Sequence, residues 1–458
     1  MRQNDDRSRM RTRALPAQMP PGPKGSLILG VMPDFNRDTL GFITRAREHG
    51  DIVRMRFFYV TAYFLYHPDD IEYVLSINAK NFIKSMSLRS NFFHRLLGNG
   101  LLTSEGEFWR RQRRLAQPAF HRQRIGAYGE VMVGYTTRTI SSWREGELRD
   151  IHRDMMRLTL EVVVKTLFNA DVSGDADKVA EVLSEMVHPF ASQATLKWII
   201  DNRLPTPAHR RFHKAAQEID LIVYRIIAER RAADSDQGDL LSMLLRARDD
   251  DGSYMTDRQL RDEVMTLFLA GHETTALTLS WAWYLLAQNP EIEEKFHAEL
   301  DEVLGGKPPT VDDMGRLKYT EMIAKESMRL YPPAYGLGRQ AIANCEIGGY
   351  RVPARSQVFM FPWATQRDGR FFAEPERFYP ERWTDEFINS LPKYAYFPFG
   401  GGPRICIGNY FAMMEVVLLL ATIGQRFKLS LAAGHQVTLL PAMSLRPADG
   451  IKVEVHHR

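Results

Sequence analysis

The sequence predicts a mainly α-helical protein with small β-sheets near both ends of the chain, an α+β class. Helical periodicity extends from residue 106 to about residue 304, broken only at short polar or proline-containing segments. Residues 51–57 and 61–66 alternate between apolar and polar residues as strands do, and residues 334–365 and the tail segments 427–431, 436–440 and 451–455 are also strand-like. Residues 259–288 are apolar on several faces, which indicates a buried central helix.

The remaining elements follow from local signals, and we expect a single domain over residues 25–458 after a flexible arm at 1–24 that is rich in arginine and proline. Proline ends the predicted helix at 322–330, because the residue before proline disfavours helical geometry. An irregular loop is expected at 80–104, and a helix follows Cys406 directly. Nearer the start of the chain, the predicted elements are a helix at 39–49, a hairpin at 51–57 and 61–66, and a helix at 68–76.

Composition excludes several classes of protein. The chain has 458 residues, of which 44% are hydrophobic and 25% charged, so it can bury a sizeable core. Cys345 and Cys406 are the only cysteines, which argues against a disulfide framework and favours a cytoplasmic location. The net charge of +4 is too small to indicate nucleic-acid binding. No run of about 18 apolar residues is present, so we expect no membrane anchor.

A glycine-rich loop leads into one cysteine, and its residues are Phe399-Gly400-Gly401-Gly402-Pro403-Arg404-Ile405-Cys406-Ile407-Gly408. The thiol lies where the loop becomes a helix, so amide groups and the helix dipole favour a thiolate of low pKa. Arg404 adds a positive charge nearby. Such a thiolate suits a nucleophile or a ligand of a soft metal, whereas the simpler alternative is a buried structural cysteine after a glycine turn.

The central helix carries a polar cluster at its middle, Ala270-Gly271-His272-Glu273-Thr274-Thr275. Polar residues and glycine are costly inside an apolar helix, so the cluster favours a locally opened helix beside a ligand. Glu273 as a proton source and Thr274 as a hydrogen-bond donor form a plausible proton relay. The alternative is a helix kink that the threonine side chains satisfy by themselves.

Two further patterns carry charge. Glu326 and Arg329 are three residues apart on an apolar helix, which favours a buried network that an arginine from residues 370–405 completes. Trp109 and Arg113 share a helix face that is suited to an anionic group, and they belong to a run of arginines at positions 110, 111, 113, 114, 122 and 124. This run is either a solvated basic face or a surface that attracts an acidic protein.

With these motifs the chain resembles the cytochrome P450 family over nearly its full length, and in particular bacterial fatty-acid and carotenoid hydroxylases. The pattern Phe399-x-x-Gly402-x-Arg404-x-Cys406-x-Gly408 is similar to that family's haem-thiolate loop. The resemblance implies haem b, with Cys406 as the ligand of its iron. It also implies that Glu273 and Thr274 are catalytic.

The resemblance also assigns supporting residues. It implies that Trp109, Arg113, Arg339 and Arg404 hold the haem propionates and that Phe399, Gly408 and Ala270 border the haem. It places Leu96, Leu102, Thr266 and Ala270 in the substrate pocket. Arg382 is expected to complete the network of Glu326 and Arg329, with Arg377 as the alternative. Gln366 departs from the family pattern, where histidine often stands, which puts a propionate contact there in doubt.

The function that the resemblance implies is a haem-thiolate monooxygenase that inserts one oxygen atom of O2 into a small apolar substrate, such as a fatty acid or a terpenoid. Electrons are expected from an acidic ferredoxin or flavodoxin with its NAD(P)H-dependent reductase. We expect a monomer. The alternatives are a peroxide-driven haem enzyme of the same fold and a haem sensor without turnover.

Overall fold

A computed structural model describes residues 19–169, 207–233, 238–249 and 251–458, so residues 1–18 of the predicted arm and residues 170–206 of the predicted helical region lie outside it. The longer helices span Met32–Arg37, Thr39–Ala46, Pro68–Glu72, Asn91–Leu97, Gly106–Ala116, Arg122–Gly126, Gly129–Ile140, Ile151–Phe168, Pro207–Ala233, Leu240–Arg246, Asp257–Leu286, Pro290–Leu304, Lys318–Leu330, Pro362–Thr365, Asp385–Ser390 and Asn409–Gly424. Single helical turns lie at Arg47–His49, Tyr73–Ile77, Ala79–Asn81, Gln117–Phe120, Val311–Asp313, Pro380–Arg382 and Gly402–Arg404.

Within the described residues, the strands form four small sheets. They are β1 (Ile52–Phe57), β2 (Val60–Leu65), β3 (Phe82–Lys84), β4 (Leu148–Asp150), β5 (Leu337–Ala341), β6 (Cys345–Ile347), β7 (Tyr350–Val352), β8 (Gln357–Met360), β9 (Phe427–Leu431), β10 (Leu439–Pro441), β11 (Leu445–Pro447) and β12 (Lys452–His457). The largest sheet has the order β1-β2-β8-β5-β3, in which β2 and β8 are parallel. The others have the orders β4-β12-β9, β10-β11 and β6-β7. The large sheet therefore joins residues 52–84 to residues 337–360.

The core is built on the helix Asp257–Leu286, which we call the central helix. A capping box fixes its start, because Thr256 and Gln259 satisfy each other's backbone N–H groups. Most of its residues are buried, and Trp281 and Trp283 have no exposed surface. It packs against Ile151–Phe168 and against Asn409–Gly424, the helix that follows Cys406 and that we call the cysteine helix. The cysteine loop thus lies directly before a helix that packs on the central one.

Several predicted elements differ from the structure. The segment 80–104, expected to be irregular, contains strand β3 and the helix Asn91–Leu97. β3 forms because it pairs with β5, more than 250 residues away, and local patterns carry no signal of such pairing. Strands β4 and β11 were not predicted, since three residues are too few to show alternation. The central helix is continuous, so the expected local opening at its middle is absent.

The end of the predicted arm contacts the domain. The N–H of Arg54 in β1 donates a hydrogen bond to the carbonyl of Pro21 at 2.9 Å. Residues 19–24 therefore follow the edge of β1, while the domain boundary at residue 25 stays a prediction. Among the residues described, no helix is both long and apolar enough to cross a membrane.

Candidate haem-thiolate site

The cysteine loop has a tightly fixed backbone. The N–H of Cys406 donates to the carbonyl of Phe399 at 3.0 Å, which closes the loop over its glycines. Gly402 has φ of +64°, and a Cβ there would lie 1.7 Å from the carbonyl oxygen of Leu75. Only glycine fits this position, because any side chain would collide with backbone. The loop sequence thus places the thiol at the start of the cysteine helix.

The Cys406 side chain is accessible, yet protein surrounds it closely. Burial raises the pKa of its thiol, while the backbone N–H of Gly408 and the charge of Arg113 act in the opposite direction. The prediction of a low pKa is therefore wrong for the protein groups alone, because desolvation outweighs the two favourable contacts. An accessible but enclosed thiol is the arrangement expected of a ligand that borders an internal space.

The middle of the central helix has one accessible face. Within an otherwise buried stretch, Ala270 is exposed, and Gly271 and Thr274 are partly exposed. The hydroxyl of Thr274 donates to the carbonyl of Ala270 at 2.6 Å, so it lies on this face. Gly271 allows close packing on its other side, since a Cβ there would be 3.2 Å from Val163. Accessible surface at the middle of a buried helix indicates a space beside it.

Glu273 points to a different set of partners. Its carboxylate accepts hydrogen bonds from the hydroxyl of Ser444 and from Nε of Arg446, the latter at 2.6 Å, and it is almost fully buried. Sequence reasoning missed Ser444 and Arg446, because they are about 170 residues away and belong to no recognisable motif. The two predicted catalytic residues are therefore neighbours in the chain whose side chains contact different groups.

His272 is not placed as a metal ligand. Its Nε2 lies 2.9 Å from the carbonyl of Met156, and burial lowers the pKa of its imidazole to about 4. The ring is thus a neutral group between two helices.

The predicted propionate-binding residues gather near the cysteine loop. Nη1 of Arg113 donates to the carbonyl of Ile405 at 2.8 Å, and the guanidinium of Arg404 stacks 4.1 Å from the ring centre of Trp109. Arg404 also forms an ion pair with Glu105. Burial lowers the pKa of Arg339 to about 10, and the charge of Arg404 adds to that effect.

Arg113 and Arg339 differ from Arg404 in their partners. Among the described residues no carboxylate forms an ion pair with either, and the side-chain hydrogen bond found there for each is to a backbone carbonyl, of Ile405 and Gly338 respectively. Lys84, which the sequence did not single out, is buried beside them and donates to the carbonyls of Leu101 and Leu102. Its pKa is lowered by burial and then by the charges of Arg404 and Arg339. The cluster thus carries buried positive charge that an anionic group would stabilise.

The charge network around Glu326 is complete in the structure. Arg329 donates two hydrogen bonds to the Glu326 carboxylate, at 2.8 and 2.9 Å, and Nε of Arg382 donates a third at 2.9 Å. Trp383 Nε1 adds a fourth at 2.9 Å, which sequence reasoning missed. Arg377 contributes only its carbonyl, because its guanidinium pairs with Glu374 at the surface. The structure thus places Arg382, and not Arg377, against Glu326.

Gln366 has a structural position. Its amide donates to the carbonyls of Met328 and Arg329 at 3.0 and 3.1 Å, and its carbonyl accepts from the N–H of Phe397 at 3.1 Å. The side chain is fully buried. It therefore links the helix Lys318–Leu330 to the start of the cysteine loop, and its hydrogen-bonding groups are already used.

The predicted pocket residues fall into two groups. Ala270 and Leu102 present accessible surface, the latter at 36% of its maximum. Leu96 and Thr266 are packed, at 1% and 4%, and the Thr266 hydroxyl donates to the carbonyl of Asp262 at 2.8 Å. Only the first two can contact a ligand without a rearrangement of side chains.

Comparison with known proteins agrees with this geometry. The family model described as "Cytochrome P450" matches residues 20–455. The chain therefore belongs to the cytochrome P450 family. It is accordingly a haem-thiolate monooxygenase that inserts one oxygen atom of O2 into an apolar organic substrate.

Individual relatives cover almost the whole chain. It is 38% identical to cyclooctatin synthase of Streptomyces melanosporofaciens over 95% of this chain and 96% of that protein. It is 34% identical to pentalenene oxygenase of Streptomyces avermitilis over 90% and 89%. Among solved structures, the haem domain of cytochrome P450DA has a TM-score of 0.88 at 26% identity and covers 97% of this chain and 98% of that one. The retinoic acid-bound cyanobacterial CYP120A1 has a TM-score of 0.86 at 26% identity over 96% and 99%.

The family implies haem iron as the cofactor, and the residues present fit it. The thiol of Cys406 is accessible although protein encloses it, which suits a ligand of the iron. Arg339 supplies an enclosed guanidinium and Arg113 a half-buried one, and neither forms an ion pair with a carboxylate among the described residues, which suits the two carboxylates of a porphyrin. The accessible face of Ala270, Gly271 and Thr274 is apolar apart from one hydroxyl.

Proposed function

We propose that the protein hydroxylates a cyclic terpenoid, with haem b as cofactor and electrons from a separate acidic ferredoxin or flavodoxin. The main support for this proposal is the accessible face that Ala270, Gly271 and Thr274 form on a helix that is otherwise mostly buried. An apolar face with a single hydroxyl suits a substrate that is mostly hydrocarbon. Two relatives whose names state terpenoid chemistry, cyclooctat-9-en-7-ol 5-monooxygenase and pentalenene oxygenase, are 38% and 34% identical to the chain.

Each residue of the site has a proposed task. When bound through Cys406, haem iron supplies the activation of O2 and the oxygen insertion into a C–H bond. Arg113 and Arg339 hold the propionates by charge-assisted hydrogen bonds. Ala270 and Leu102 contact the substrate and exclude water. The hydroxyl of Thr274, now bonded to the carbonyl of Ala270, can turn toward the ligand space and donate a proton there.

Glu273 requires a movement in this scheme. Its carboxylate is held by Arg446 and Ser444, so it does not contact Thr274 in this conformation. We propose that it passes protons when a rotation about its side-chain bonds turns the carboxylate toward Thr274. Arg446 then acts as a positioning residue, since it holds the carboxylate between such movements.

A spectral titration tests the substrate class. Cyclic terpenes and linear fatty acids of equal carbon number are added separately to the purified holoprotein, and the shift of haem spin state is measured. Terpenes should shift the spectrum at lower concentration, and turnover with a surrogate ferredoxin, its reductase and NAD(P)H should yield a hydroxylated product. Tighter binding of the fatty acids would contradict the terpenoid proposal but leave the family assignment intact.

The assignment of Cys406 as the ligand of the haem iron has an independent test. The reduced carbon monoxide complex should show the strongly red-shifted Soret band of a thiolate-ligated haem, and Cys406→His should abolish that band while haem remains bound. Turnover with hydrogen peroxide alone would favour the peroxide-driven alternative. Absence of NAD(P)H consumption with every redox partner and substrate would favour the sensor.

The surface that we propose for the electron donor has fewer uncompensated positive charges than the run of arginines suggests. Arg111 and Arg114 form ion pairs with Asp249, and Arg110 pairs with Glu107, so part of the positive charge is compensated. Arg122 is exposed and lies 4.9 Å from the ring centre of Tyr410, on the cysteine helix. The side chain of Arg124 lies outside what the structure describes.

We propose that the donor docks beside the cysteine loop, near Arg122 and the exposed edge of the helix Gly106–Ala116. Arg122→Glu should slow the first electron transfer and flatten its dependence on salt, because steering acts on the rate of association. Arg377→Glu reverses an exposed arginine that contacts neither region and is the matched control. Equal rates for the two variants would place the donor elsewhere. A monomer and a cytoplasmic location remain part of the proposal.

A further inference from the structure

The stretch of chain that carries Leu102 packs directly on the central helix. We call residues 98–102 the pocket segment, because Leu102 has accessible surface and is proposed to contact the substrate. A Cβ added at Gly100 would lie 2.2 Å from Oγ1 of Thr266 and 2.6 Å from the carbonyl oxygen of Asp262. Only a residue without a side chain lets the backbone come so close to the helix. The backbone of the pocket segment therefore contacts the central helix itself.

Two adjacent carboxyl groups of the central helix bind N–H groups of the pocket segment. The N–H of Asn99 donates to Oδ2 of Asp262 at 2.9 Å, and the N–H of Leu101 donates to Oε2 of Glu263 at 3.1 Å. Both acidic side chains are buried, with exposed fractions of 5% and 0%. The second bond is made by the residue directly before Leu102. It therefore restrains the backbone from which the Leu102 side chain extends.

The burial of these two carboxyl groups is compensated differently. Asp262 forms an ion pair with Arg261 at 3.1 Å. Among the described residues no ion pair with Glu263 is found, and its Oε1 is buried without a hydrogen-bond partner. Burial raises the pKa of Glu263 to about 8, although the N–H of Leu101 and the charge of Lys84 act in the opposite direction. At neutral pH the side chain is therefore mostly an uncharged acid, and its hydrogen bond to the pocket segment does not require a charge.

Glu263 influences the ligand space without bordering it. Seven residues separate it from Ala270 on the same helix, which corresponds to two turns or about 10 Å along the axis. Glu263 has no exposed surface, so a ligand beside Ala270 does not touch it. Leu102 does have accessible surface, and its neighbour Leu101 is bonded to Glu263. An effect of Glu263 on a ligand would therefore pass through the backbone of Leu101.

We infer that Glu263 is a positioning residue that fixes Leu102 beside the ligand space and thereby limits the bulk of the molecules that fit there. Selection by size then depends on a residue that the ligand never contacts. The inference rests on the placement of Leu102 in the pocket under the proposed function. It depends neither on the terpenoid class nor on turnover, so it can be tested with simple ligands of the haem iron.

The probes are imidazole and the bulkier 4-phenylimidazole, whose binding to the holoprotein is followed by haem absorbance. Glu263→Leu and Glu263→Met both remove the hydrogen-bond acceptor at similar volume, whereas Glu263→Gln keeps a neutral acceptor. The first two variants should lower the dissociation constant of 4-phenylimidazole relative to that of imidazole about threefold, since one hydrogen bond is lost. Glu263→Gln should behave as the wild-type protein.

Glu293→Leu is the matched control. Glu293 is also a buried carboxyl group with one oxygen that lacks a partner among the described residues, but it belongs to the helix Pro290–Leu304. Its loss affects stability without reaching the pocket segment, so the ratio of the two dissociation constants should stay at the wild-type value. A ratio that changes equally in Glu263→Leu and Glu293→Leu would overturn the inference, because any loss of a buried acid would then have this effect.

Hydrogen exchange of the holoprotein measures the attachment of the pocket segment directly. The amides of residues 98–102 should exchange about fivefold faster in Glu263→Leu than in the wild-type protein, because one of their hydrogen bonds is lost. Glu263→Gln and Glu293→Leu should leave this exchange unchanged. Unchanged exchange in Glu263→Leu would overturn the inference.

A double variant tests whether the effect passes through Leu102. Leu102→Ala should lower the ratio of dissociation constants by itself, and Glu263→Leu added to it should lower the ratio no further, because the two residues act in series. Additive effects overturn the inference, and so does an unchanged ratio in Leu102→Ala, which would place Leu102 away from the ligand space. Loss of haem from both Glu263→Leu and Glu263→Met also overturns it, because Glu263 would then support the fold as a whole. The terpene titration remains a separate test of the substrate class.

Discussion

The network around Glu326 gives the sharpest stability prediction, because two arginines from one segment serve as test and control. Arg382 is buried, donates to Glu326 at 2.9 Å and also bonds to the carbonyl of Ala373. Arg377 pairs with Glu374 at the surface, where both side chains are more than half exposed. Arg382→Ala removes one partner of a buried ion pair, which typically costs about 3–5 kcal/mol. Arg377→Ala removes an exposed pair of about 0–1 kcal/mol.

These energies convert into measurable shifts. Unfolding entropy of about 2.1 cal/mol/K per residue means that about 3 kcal/mol lowers the thermal midpoint of a chain of 458 residues by about 3 °C. We therefore expect Arg382→Ala to melt at least about 3 °C lower, with a reduced ratio of haem to protein after purification. Arg377→Ala should shift the midpoint by no more than about 1 °C. Scanning fluorimetry and haem absorbance measure both quantities. Equal midpoints for the two variants would refute the assignment of Arg382 to the network.

Three further predictions concern the central helix. Thr274→Val should keep substrate binding but divert NAD(P)H into peroxide, and unchanged product per NAD(P)H would mean that the hydroxyl serves only to bond the carbonyl of Ala270 within the helix. Arg446→Gln should lower the amount of product per NAD(P)H severalfold. Arg446→Lys should restore it, because a cation is then again available to hold Glu273. Equal behaviour of the two variants would contradict this role of Arg446. The pKa of buried His272 is lowered to about 4, so the unfolded state binds more protons than the folded state between about pH 6.5 and 4, and stability falls as pH falls. His272→Asn should reduce the slope of unfolding free energy in this window by about 1.4 kcal/mol per pH unit, and an equal slope from urea titrations would contradict the assignment.

Sequence reasoning reached the parts of the site that local motifs encode. The glycines, Arg404 and Cys406 lie close together in the sequence and specify a loop whose shape depends on neighbouring residues. Only glycine can occupy position 402. Glu326 and Arg329 lie one helical turn apart, so their contact follows from spacing alone. The burial of most of the central helix likewise follows from its apolar faces.

Contacts between distant segments were not predictable in the same way. Glu273 meets Ser444 and Arg446 because strand β11 lies on the central helix, a packing that no local pattern records. Asp249 compensates Arg111 and Arg114 from more than 130 residues away, so a count of arginines overstated the charge of that surface. The pKa of Cys406 depends on a balance between burial and nearby charges, and sequence gives the charges but not the burial.

The arginines described above fall into two groups according to their hydrogen-bond partners. One group stabilises the fold, and the other is proposed to bind a ligand. Arg329 and Arg382 both donate hydrogen bonds to the carboxylate of Glu326. Their guanidinium groups lie in the interior, where they stabilise the fold. Arg339 is enclosed and Arg113 half buried, but their described side-chain hydrogen bonds reach only backbone carbonyls. Backbone carbonyls compensate a full charge poorly, so an anionic group such as the proposed propionates would stabilise these two guanidiniums. Loss of either arginine should therefore weaken haem retention, whereas loss of Arg382 should weaken the fold with or without haem.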